Sequence, residues 1–106
     1  MTTPPLLSGD EVAARLLGSQ WRHEHGMIVR DLAFADFATA IRFVNRVADV
    51  AEAYNHHPDI LVHGWNKLKL SLTNHAAGGL TETDFDMAAR FDALLAQTAA
   101  QPLDEH

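Results

Sequence analysis

Trp65-Asn66-Lys67-Leu68-Lys69-Leu70-Ser71-Leu72-Thr73 decides the fold class of this 106-residue chain. Leu68, Leu70 and Leu72 recur at every second position, and Lys67, Lys69 and Ser71 fill the gaps. A period of two places the leucines on one side of an extended strand and the polar residues on the other. That is the pattern of an antiparallel sheet with one packed face and one wet face. Upstream, Ile60-Leu61-Val62-His63 reads as a second strand, with Gly64 marking a turn or bulge. Gln20 to His25 and Met27 to Leu32, on either side of Gly26, read as a further hairpin.

Helical periodicity fills the intervals. Phe37, Ile41, Val44, Ala48 and Ala51 recur at spacings of three and four, with Ala40, Val47 and Tyr54 widening the stripe. They predict the longest helix, over residues 36–54, with Asp36 as its cap. Pro58 limits it, because the proline ring pushes His57 out of the helical region and the helix must stop by about His56. Near the N-terminus, Ser8 and Glu11 form a capping box, and Leu7 with Val12 supplies a hydrophobic staple. Gly18 ends that helix. After Gly78-Gly79, Thr81 caps the last helix, with Asp84 as an acidic capping-box equivalent and Leu80 with Phe85 as staple. Met87, Phe91, Leu94 and Leu95 form its apolar stripe.

The order αββαββα predicts an α+β fold, a four-stranded antiparallel sheet with three helices packed on one face. The length predicts a single domain over residues 1–106, with an ordered core of about 7–98.

Composition narrows the function. Fourteen Asp and Glu against eight Lys and Arg give a net charge of -6, which disfavours direct nucleic-acid binding. Lys67 and Lys69 are two residues apart on a strand and read as a solvated face. No apolar run approaches the ~18–20 residues of a membrane span. Residues 1–7 lack the basic start and apolar run of a signal peptide. The absence of cysteine removes disulfides, thiolate nucleophiles and Cys-based zinc sites. It is compatible with a reducing cytoplasm, the expected location.

Seven histidines raise the question of a metal. His23 and His25 would share one face of a strand as a ligand pair, but no third ligand follows at a defined spacing, and catalytic zinc needs three. No Gly-x-Ser-x-Gly turn and no Gly-rich phosphate loop are present. What is left is acid–base chemistry. Imidazole gives and takes protons near neutral pH. His56 and His57 close the long helix, His75 closes the alternating strand, and the two ends can meet at one rim of the sheet. A protonated and a neutral imidazole facing one ligand would serve as general acid and general base. From spacing alone, loop histidines held by backbone and water are the plainer alternative.

The run Glu52-Ala53-Tyr54-Asn55-His56-His57-Pro58-Asp59, then Trp65-Asn66-Lys67, Leu70-Ser71-Leu72-Thr73-Asn74-His75 and Gly79-Leu80-Thr81-Glu82-Thr83-Asp84, resembles the pterin-4a-carbinolamine dehydratase family. With Trp21 and Phe34-Ala35-Asp36-Phe37, the likeness spans about Leu7 to Leu95. It implies the fold derived above in a homodimer or homotetramer. It also implies dehydration of 4a-hydroxytetrahydropterin to quinonoid dihydropterin and water without metal, cofactor or covalent intermediate. The pterin substrate would then be the partner, with no membrane and possible functional coupling to an aromatic amino acid hydroxylase in tetrahydrobiopterin-type cofactor regeneration. The resemblance assigns catalysis to His56, His57 and His75, with His56 and His75 as the acid–base pair and His57 orienting the ring. It assigns substrate binding to Glu52, Asn55, Thr73, Asn74 and, more weakly, Trp21, for which a buried core position is the competing expectation.

The chain departs from the family pattern at three points. Asn55 stands where animal members carry aspartate, Asn74 replaces a more usual threonine, and one extra residue lies near Gly64, where a strand bulge could absorb it. The reading from a different class is a non-catalytic dimerisation or assembly module that uses an exposed apolar helix face, supplied by Phe37, Ile41 or Phe91. A metal-dependent cupin-like module lacks both the ligands and the strands.

Overall fold

The computed structural model describes residues 3–98. The chain runs α1 (Gly9–Leu16), β1 (Arg22–Glu24), β2 (Met27–Ala33), α2 (Phe37–Tyr54), β3 (Asp59–His63), β4 (Lys67–Leu72) and α3 (Glu82–Gln97), in the expected order. The strands form one sheet in the order β1-β2-β4-β3, antiparallel at every junction. β4, the alternating stretch, is central. It pairs with β2 from Ile28↔Leu72 to Ala33↔Lys67 and with β3 from Asp59↔Ser71 to His63↔Lys67.

Directly opposed residues project to the same face, so Leu68, Leu70 and Leu72 share a side with Leu32, Ile28 and Val62. The three leucines are at most 1% exposed. They join one core cluster with Val12 of α1, Phe43 and Val47 of α2, and Met87, Phe91 and Leu95 of α3. The opposite face of the sheet is charged. Arg22 pairs with Glu24 and Asp31, and Lys69 Nζ reaches Glu24 Oε1 at 3.2 Å. Arg22 and Lys69 hold the Glu24 carboxyl below its usual range.

Local chemistry sets most element boundaries. Ser8 and Glu11 close a complete capping box on α1, and the Asp36 carboxylate accepts the Thr39 N–H at 2.7 Å on α2. α2 stops at Tyr54 because Asn55 takes a left-handed conformation, φ 52° and ψ 43°. The N–H of Asn55 then bonds Glu52 C=O at 3.3 Å and that of His56 bonds Ala51 C=O at 3.1 Å. These two bonds make a Schellman ending, with Asn55 in the place glycine usually takes.

Three expectations shift. The buried row of α2 is Ala40, Phe43, Val47 and Ala51, whereas Phe37, Ala48 and Tyr54 are exposed. α2 carries two adjacent apolar rows, and the one with Phe43 wins because that ring packs on Phe34 at a centroid distance of 5.4 Å. Phe91 is 1% exposed, so of the three residues offered for an exposed apolar face it drops out. Near Gly64 no bulge forms. Pairing of β3 with β4 is unbroken, and residues 64–66 form the turn, with Gly64 at φ 54° and Trp65 at φ 60°. Trp65 and Asn66 therefore leave the strand, and Asn66 Nδ2 donates to Phe34 C=O at 2.8 Å.

Hydrogen bonds from the Thr39 side chain and then its backbone N–H hold the Asp36 carboxyl below its usual range. A carboxyl lowered on folding adds stability above its unfolded-state pKa of about 3.9, and loses it as pH falls through the folded value. Asp36→Ala should therefore lower the melting temperature at pH 7, with the deficit against wild type closing as pH is taken from about 4 downward. Asp36→Asn, a cap without a titrating proton, should show a deficit that does not follow this course. Thermal unfolding followed by circular dichroism from pH 7 to 3 measures both.

Candidate active site

Strand register brings three loops to one end of the sheet. Asp59, opening β3, pairs with Ser71 near the end of β4, and Ile28, near the start of β2, pairs with Leu72. The loop carrying His56 and His57, the segment Thr73-Asn74-His75 and the β1–β2 turn at His25-Gly26 therefore meet at the same rim. The two ends expected to converge do share it.

His56 is held most firmly. Its backbone N–H is part of the Schellman ending, and its ring Nε2 lies 2.6 Å from Asp84 Oδ1. Asp84 is fully buried. Its other oxygen accepts the Thr81 N–H at 2.9 Å and faces the Thr81 hydroxyl at 3.4 Å. The capping role expected of Asp84 is thus real but uses one oxygen, and the second is aimed at His56 from 28 residues away. With Asp84 ionised, Nε2 is the nitrogen that donates the hydrogen. Sequence reasoning took Asp84 as a cap alone and missed its part in the site.

His57 and Glu52 also meet. Ring Nε2 contacts Glu52 Oε2, with both side chains largely in solvent. Such an exposed pair orients a ring more than it stabilises the fold. Asn55, proposed for substrate binding, has its backbone committed to ending α2.

His75 follows β4 in a tight turn in which Asn74 Oδ1 accepts the Ala77 N–H at 3.0 Å and Asn74 pairs with Gly79 as an isolated bridge. Thr73 Oγ1 donates to Gly26 C=O at 3.1 Å. A cavity of about 350 Å³ opens here, lined by Thr73, Asn74 and His75 and, unexpectedly, by His25. Trp21 lies elsewhere. It is 4% exposed in the core, its indole Nε1 donates to Asp92 Oδ1 at 2.9 Å, and it borders a different cavity. The His23–His25 strand pair does not form either, because β1 ends at Glu24 and His25 sits in the turn at φ 52°. Among the described residues no three His, Asp or Glu side chains gather as a metal-holding group, and no helix is long and apolar enough to cross a membrane.

This α+β fold is that of the pterin dehydratases. The transcriptional coactivator/pterin dehydratase from Brucella melitensis superposes with a TM-score of 0.77 at 31% identity, covering 83% of this chain and 96% of that one. A pterin dehydratase-like protein described as a RuBisCO assembly factor in the alpha-carboxysome gives 0.58 at 25% identity, covering 74% and 89%. The family model described as pterin 4 alpha carbinolamine dehydratase matches residues 5–94, and the chain belongs to that family. A Chloroflexus aurantiacus relative, provisionally named pterin-4-alpha-carbinolamine dehydratase, is 47% identical over 92 residues, 86% of this chain and 98% of the relative. One of the same provisional name from Metallosphaera sedula is 42% identical over 91 residues, 85% and 94% of the two.

Removing the His56 ring leaves an oxygen of the buried Asp84 carboxyl without its donor. His56→Ala should destabilise the protein by about 1–3 kcal/mol in urea unfolding, the range for leaving a buried polar group without its hydrogen-bond partner. The double variant His56→Ala/Asp84→Asn should lose less than the sum of the single losses. Strict additivity would show that the two side chains are not coupled.

Proposed function

We propose that this chain is a 4a-hydroxytetrahydrobiopterin dehydratase, a hydro-lyase that converts 4a-hydroxytetrahydropterin to quinonoid dihydropterin and water. Hydroxide leaves C4a, its oxygen taking a proton from a general acid. The proton on N5 passes to a general base, and the N5 electron pair closes the new double bond to C4a. Nothing in that balance calls for a redox step or an added nucleophile. It calls for two proton-transfer groups on either side of a flat heterocycle.

The observation that supports the reading is that the segments carrying His56, His57 and His75 reach one end of the sheet, in a chain whose family bears this activity in its name. In this reading His56 and His75 form the acid–base pair and His57, braced by Glu52, orients the ring. The Asp84 carboxylate would steady the tautomer of His56 and stabilise it when it carries a proton, as a buried acid does for a catalytic imidazole. Thr73 and Asn74 form pocket wall. The physiological role would be regeneration of a tetrahydropterin cofactor beside an aromatic amino acid hydroxylase, in the cytoplasm, by a dimer or tetramer.

One observation favours a second reading, an assembly module without catalysis: the similar fold described as an assembly factor. Phe37, 53% exposed, and half-buried Ile41 would supply its contact face. The histidines argue against it, because an assembly surface on α2 has no use for three imidazoles at the sheet rim.

The deciding experiment is the dehydration rate of 4a-hydroxytetrahydropterin with protein exhaustively treated with chelator. The rate should persist, and His75→Ala should cut turnover by about 10- to 10⁴-fold, the range general acid–base groups supply, with its melting temperature retained. Loss of the wild-type rate on chelation would return the chemistry to a metal. A wild-type chain that neither binds pterin nor dehydrates the carbinolamine would leave the assembly reading.

A further inference from the structure

The β1–β2 hairpin turns through two residues, His25 and Gly26, at φ 52° and 76°. Positive φ at both central positions is the type I′ arrangement, for which Asn-Gly, Asp-Gly and Gly-Gly are the favoured pairs. Histidine tolerates positive φ better than most side chains, but it is not among the residues this turn favours. The turn is also fastened to the candidate site, since the Thr73 hydroxyl at the end of β4 donates to Gly26 C=O at 3.1 Å.

That bond makes the turn a wall of the His75 cavity, which His25 lines together with Met27, Thr73, Asn74 and His75. Along the rim the sheet order is β1-β2-β4-β3. His57 therefore stands on the β3 side of His75, and His25 on the opposite side. Among the described residues neither the His25 nor the His75 ring has a hydrogen-bond partner or ion pair, so both are free to bond a ligand in the cavity between them.

We infer that His25 is a substrate-binding residue, a fourth imidazole that hydrogen-bonds the polar edge of the pterin turned away from His57. This rests on the dehydratase reading and extends it. Proton transfer needs only the acid and base at C4a and N5, so His25 serves affinity and orientation and takes no part in the proton inventory. It sets which pterins the cavity accepts on its β1–β2 side.

The test compares wild type, His25→Gly and His25→Asn in steady-state dehydration kinetics. The same proteins are titrated with an unhydroxylated pterin, followed by its fluorescence. Glycine takes φ 52° freely and asparagine makes the favoured Asn-Gly turn, so both variants should melt at or above the wild-type temperature. Both should raise KM and the pterin Kd by about 3- to 15-fold, the effect of one lost hydrogen bond, with kcat held within about twofold. His75→Ala should show the opposite split, with kcat lost. KM and Kd unchanged in both His25 variants, in a wild type that is active, would overturn the assignment and leave the dehydratase standing. An inactive wild type that binds no pterin would remove the dehydratase and His25's role with it.

Discussion

A carboxylate with no exposure to solvent holds the candidate site together. Asp84 lies at the start of α3, and burying its charge there demands donors on both oxygens. Thr81 supplies one from its backbone N–H, and the ring of His56 supplies the other. The helix N-terminus adds a favourable field for an anion. One residue thereby starts α3 and also anchors the chain leaving α2. His56 is fixed twice over, through its N–H in the Schellman ending and through its ring at Asp84. Remove the carboxylate and the backbone bond remains, but nothing then sets the ring's direction.

Much of this was legible because local rules govern it. Alternation at Leu68, Leu70 and Leu72 gave the central strand, Ser8 with Glu11 and Asp36 gave two helix starts, and Pro58 set the outer limit of α2, which Asn55 ends two residues sooner. What stayed hidden were choices between locally equivalent options. α2 has apolar rows on both sides of the Ala40–Val47 line, and only the position of Phe34 at the end of β2 selects Phe43 over Phe37. A bulky aromatic at positive φ is disfavoured on its own, so nothing local announces that Trp65 belongs to a turn. The three-residue connection from His63 to Lys67 decides it.

The site divides the same way. His56, His57 and His75 were visible from the motif that surrounds them, and Glu52 lies within the same run, five residues from the ring it meets. Asp84 had already been given a sufficient local role as a cap, which obscured its long-range one. A capping carboxylate has a second oxygen, and asking where that oxygen goes would have raised the question. His25 was hidden by treating Gly26 as a one-residue turn. Tight hairpins turn through two residues, so a neighbour of Gly26 had to share the turn, and that neighbour is His25.

A site built on loop ends at a sheet rim cannot draw its accuracy from core packing, since most of its side chains have solvent on one side. Here the accuracy comes from turns that hydrogen bonds hold in shape and fasten to one another. Asn55 ends α2, Asn74 organises the chain after β4 through the Ala77 N–H, and Thr73 ties the β1–β2 turn to that same chain. Both asparagines occupy turn positions that suit an asparagine side chain or a left-handed backbone. Their effect on the chemistry is therefore through placement of the imidazoles next to them. At residue 55 the backbone turn is what such a rim depends on, because a displaced His56 would also leave Asp84 buried without its partner.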